Sequence, residues 1–159
     1  MRLVLGLMVA AALVGSAAGD PAEKDKKESK FLTKKGNLTR ELVVYETEGA
    51  GLASKSRRWT VKPNGQWELA VRDRGIKTTK GKLTKEQLKT LADELEKYGL
   101  TTLKRKFDTR IPRGAKSYEI RYGKRQVATN GPLGEPDAKT LKGRYAGIVA
   151  IVEKLLKGK

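Results

Sequence analysis

Glu46 and Glu48 stand two residues apart at the end of a β-branched and aromatic run that begins at Glu41. On a strand they share a face, with carboxylates roughly 6–7 Å apart, a spacing that overlaps the acid and base of inverting glycosidases. Both lie among polar residues at the end of that run, so they are expected to face solvent. The chain has no histidine and no cysteine. That removes the commonest general base, the commonest transition-metal ligand and any disulfide. Neither a metal nor a cofactor is expected. A serine activated by lysine is the remaining nucleophile, but Ser54, before Lys55, and Ser117 read as ordinary loop and strand-start residues. Gly49-x-Gly51 lacks the third glycine and the following helix of a dinucleotide fingerprint. The residues thus point away from catalysis, toward binding.

The elements that would position a binding surface are legible from patterning. Residues 41–47 read as a strand. Trp59 and Val61 alternate before Pro63-Asn64-Gly65, and Trp67, Leu69 and Val71 alternate after it. This predicts a tight hairpin with both tryptophans on one apolar face. The basic stretch Arg72 to Lys82 continues it as a possible further arm. Thr84 and Gln87 form a capping box ahead of Leu88, Leu91, Ala92 and Leu95, and Gly99 is placed to stop that helix. Thr101 to Lys116 reads as a long basic connection. Tyr118, Ile120 and Tyr122 alternate, Gly123-Lys124 turns the chain, and Arg125 to Thr129 returns. Tyr145, Ile148, Val149, Val152, Leu155 and Leu156 space a last amphipathic helix. The expected fold is α+β: an antiparallel sheet of about five strands, in the order β-β-β-α-β-β-α, with two amphipathic helices packed on one face.

Residues 1–19 have a positive start, an apolar run from Leu3 to Gly15 and small residues to Gly19. That order predicts a signal peptide cleaved after Ala18 or Gly19, hence a secreted or periplasmic protein. The apolar run is shorter than the roughly 20 residues that span a bilayer, so no transmembrane span is expected in the mature chain. Residues 20–37 are mostly charged and are expected to be a disordered tether. Residues 38–159 then form a single α+β domain, expected to be a monomer.

The formal net charge is +17. Its cations are spread along the chain, as on a solvated surface, but two groups could together make a polyanion-binding face. One is Arg72, Arg74 and Lys77; the other is Lys104, Arg105, Lys106, Arg110 and Arg113, with only Phe107 interleaved. An acidic envelope polymer or nucleic acid would be the partner.

The stretch from Glu48-Gly49-Ala50-Gly51-Leu52 to Arg57-Arg58-Trp59-Thr60-Val61 resembles the opening of the emfourin family. These are small bacterial inhibitors of thermolysin-like metallopeptidases. The helix from Thr84 and the hairpin from Tyr118 to Val127 occupy matching places. Ala50 stands where the family tends to have Gly, and Leu52 where it has Phe. The resemblance implies a non-enzymatic module that offers an apolar side chain on a loop to a protease. Leu52, between Gly49 and Gly51, is the first candidate anchor and Phe107 the second. A basic polyanion-binding protein is the alternative.

Overall fold

The computed structural model describes residues 29–49, 54–108 and 114–157. The expected signal peptide, residues 20–28, and the site candidates Gly51, Leu52, Arg110 and Arg113 lie outside the described residues. The elements run β1 (Leu42–Glu48), β2 (Lys55–Val61), β3 (Gln66–Asp73), β4 (Gly75–Lys82), α1 (Lys85–Lys97), β5 (Lys116–Tyr122), β6 (Arg125–Asn130) and α2 (Leu141–Leu156). The strands form one antiparallel sheet in the order β4-β3-β2-β1-β5-β6, which is α+β as expected.

Alternation sorts the sheet into two faces. Leu42 and Val44 on β1 sit opposite Val61 and Trp59 on β2, and opposite Tyr122 and Ile120 on β5. All six are buried and share one core with Leu88, Leu91 and Leu95 of α1 and Tyr145, Ile148 and Val152 of α2. Both helices therefore cover this face. The other face carries Tyr45, Arg58, Arg72 and Arg121, all exposed. Across the β2–β3 hairpin Val61 faces Trp67 and Trp59 faces Leu69, so both tryptophans point to the helix side. Trp59 is buried, whereas Trp67 is half-buried.

Local chemistry sets the helix ends. The Thr84 side chain accepts from the Gln87 N–H, and the Gln87 side chain accepts from the Thr84 N–H. Gly99 takes the left-handed conformation at φ 59, and buried Leu100 folds back to open a single 3₁₀ turn, Leu100–Thr102. Thr140 caps α2 through Gly143.

Two expectations need correcting. The sheet has six strands, because the polar arm Gly75–Lys82 pairs with β3 along its whole length. Ladder hydrogen bonds, not apolar alternation, make it a strand. The tether also ends earlier than residue 37. Phe31 is 1% exposed and meets the Tyr122 ring edge-on at 5.3 Å. Leu32 bridges to Leu38, and Leu38 donates its N–H to the Pro63 carbonyl. Phe31 and Leu38, both 1% exposed, bury their side chains in the core, and the backbone hydrogen bonds from Leu38 to Pro63 and from Thr39 to Phe31 fix the segment between them. Among the described residues no helix is long and apolar enough to cross a membrane.

Candidate functional site

Registry brings the candidate loops to one end of the sheet. Glu48 faces Lys55 on one side and Lys116 on the other. Ser117 faces Asn130, and Ser56 faces Arg72. Gly49 after β1, Ser54 before β2, the β3–β4 turn and Gly114-Ala115 before β5 thus mark one rim. Gly49 lies on it, exposed, directly after β1.

Phe107 is the other described anchor candidate, 59% exposed. Its neighbours on both sides are pinned to β6. Lys106 donates its N–H to the Ala128 carbonyl at 3.0 Å and bridges Thr129 in parallel. Asp108 donates its N–H to Asn130 Oδ1 at 2.7 Å, and Asn130 Nδ2 donates back to the Asp108 carbonyl at 3.3 Å. Asn130 is itself buried. Lys142 on α2 also holds the Asp108 carboxylate, and that hydrogen bond keeps the carboxyl below its ordinary range. Upstream, Leu103 is fully buried, Arg125 donates to the Leu100 and Leu103 carbonyls, and the Tyr145 hydroxyl donates to the Lys104 carbonyl. The first half of the expected long connection is therefore a fixed pedestal. An apolar ring stands out from it on a short backbone stretch held at both ends.

Glu46 is not exposed, contrary to the expectation for the carboxylate pair. It is 6% exposed on the helix face, while Glu48 faces solvent. Lys116 donates to Glu46 Oε1 at 3.0 Å, and this bond raises the lysine above its ordinary range. Tyr118, across from Glu46 on β5, is raised first by burial and then by that carboxylate. A cleft of 220 Å³ opens here, lined by Glu46, Glu48 and Asp73 and by Lys55, Arg57 and Arg72. Its charges are largely answered already: Lys55 lies 3.4 Å from Asp73, and Arg57 reaches Glu153 on α2 at 3.5 Å. A buried carboxylate hydrogen-bonded across the strands to Lys116 ties the end of β1 to the start of β5.

Among the described residues the two basic groups do not merge into one face. Arg72, Arg74 and Lys77 sit at the β3–β4 tip, and Lys104, Arg105 and Lys106 lie beyond β6; all are exposed. Six strand spacings of about 4.8 Å separate them, or about 25–30 Å. The clamp residues Asn130 and Asp108 went unread in the sequence, because their pairing joins positions 22 apart with no local signature. No protein-family model matches the chain, and no curated protein matches it in sequence.

Proposed function

We propose that this chain is an exported, non-enzymatic binding module that engages a protein partner through the rim, with Phe107 as its described anchor. Following the resemblance, the partner is a secreted or periplasmic thermolysin-like metallopeptidase and the outcome is inhibition. The observation that carries this reading is the exposed Phe107 ring on a segment whose backbone is already fixed. A preorganised anchor spares the ordering entropy that a mobile loop loses on binding, and aromatic side chains are the commonest interface hot spots.

The test is a titration of a thermolysin-like metallopeptidase with the chain lacking residues 1–19, at about 0.05 and 0.5 M salt. Inhibition should persist at high salt, and Phe107→Ala should weaken it by about tenfold or more while moving stability by no more than about 0.5 kcal/mol. Asn130→Ala should weaken inhibition too, through the clamp. No inhibition by the unaltered chain at any concentration would sink the inhibitor reading. The exposed cations flanking Phe107, Lys104 to Lys106, favour a second reading as a polyanion binder. Capture of heparin or polyphosphate that disappears at 0.5 M salt, with no peptidase inhibition, would select it.

A further inference from the structure

The two edges of the sheet are finished differently. Beyond β6 the chain lays down its own Lys106 against Thr129. Beyond β4 no described residue pairs. β4 is eight residues long, without proline, and pairs with β3 throughout. Seven of its residues are exposed, Ile76 at 74%, and only Gly81 is half-covered. Trp67 covers that glycine so closely that an added Cβ would come within 2.6 Å of the indole, which keeps the strand end pressed into the sheet. A strand that buries so little contributes little to the core. What it displays is a row of backbone N–H and C=O groups, the template on which extended peptides add as a further strand.

Charge selects the peptide. β4 bears Lys77 on the helix side and Lys80 and Lys82 on the open side, with no acid. The adjacent acids on β3 are already engaged, Glu68 by Lys80 at 3.3 Å and Asp73 by Lys55 at 3.4 Å. A second copy of this chain would set lysine against lysine, on top of a net charge of +17. Edge lysines are a common guard against self-pairing. The guard acts through its sign: it opposes a basic strand and attracts an acidic one, because opposite charges across neighbouring strands stabilise the pair. We propose that the β4 edge, unpaired among the described residues, is a docking site for an extended acidic segment of a partner protein, added as a strand with its carboxylates on the open face over Lys80 and Lys82. This edge lies across the sheet from Phe107 and does not depend on the rim reading.

The probe is an eight-residue peptide alternating Glu and Val, set against one alternating Lys and Val and against polyphosphate, which has charge but no peptide backbone. Under saturating acidic peptide, alternate amides of β4 should exchange about tenfold more slowly with solvent, while β6 amides stay unchanged. The double variant K80E/K82E should lose the acidic peptide by about tenfold or more and accept the Lys-Val peptide instead. Phe107→Ala should leave both results intact, which separates failure at this edge from failure at the rim. Unchanged β4 exchange, or equal protection by polyphosphate, would overturn the proposal.

Discussion

Thr129 is a buried residue at odds with its surroundings. It is fully buried on β6 beside Tyr118, and its hydroxyl oxygen has no hydrogen-bond partner among the described residues. An unpaired buried hydroxyl costs about 1–3 kcal/mol against a paired one. Thr129→Val keeps the branched shape and removes the orphan, so it should hold or raise stability, by up to about 1 kcal/mol in urea unfolding. A loss would mean that the hydroxyl is satisfied in solution, for instance by water. Glu46 teaches the complementary lesson. Its polarity and its place late in β1 read as solvent-facing, yet β1 is central and flanked on both sides, so the inward alternation of Leu42 and Val44 carries one position further. What satisfies it, Lys116, is 70 residues away in sequence. Single-residue burial is set by neighbours that local pattern does not name.

At the scale of elements, α2 meets the end of α1 through a glycine. A Cβ at Gly147 would lie 2.2 Å from the Tyr98 ring, with that ring in the core and the helix backbone directly behind it. Gly147→Ala should therefore destabilise the fold by up to about 2 kcal/mol although alanine is the better helix former, since overpacking outweighs the roughly 1 kcal/mol of propensity gained. Chemical denaturation measures this directly; a stabilised variant would mean that the contact yields freely. Elements with local signatures were the ones legible in advance. The Thr84–Gln87 box, the Gly99 stop and the Pro63–Gly65 turn all act within a few residues, and each is where patterning put it. β4 was readable only as an arm, because its one large apolar residue, Ile76, gives no alternation to detect. Phe31 was hidden for a similar reason: its charged neighbours outvoted it, and the ring that receives it belongs to Tyr122, 91 residues later.

For the molecule as a whole, the absence of histidine leaves no side chain with an ordinary pKa between roughly 5 and 8. Stability should be nearly flat there. Above it, three groups act in one direction. Burial pushes the Tyr145 hydroxyl from its ordinary 10.0 up to about 12. Tyr118 is raised by burial, and Lys116 by its hydrogen bond to Glu46. Each holds its proton more tightly folded than unfolded. The stability this gives is complete below pH 10 and is lost as pH climbs toward 12. Thermal melts from pH 7 to 12 should show a plateau and then a steep fall, and Tyr145→Phe should shallow that fall while lowering the plateau through loss of the bond to Lys104. A fall of unchanged steepness in the variant would assign alkaline loss to other groups.

The position of Phe31 also gives the molecule a handle. The Tyr122 hydroxyl that donates to the Phe31 carbonyl lies at the end of β5 opposite Lys116, and Thr39 ties Lys30 to the same corner. The chain therefore enters the fold at one pole of the sheet, while Gly49 and the β5 entry mark the other. A label, bead or surface attached ahead of residue 29 would hold the protein by its far side and leave the rim pointing outward. Immobilised this way the chain presents Phe107 to solution in a uniform orientation.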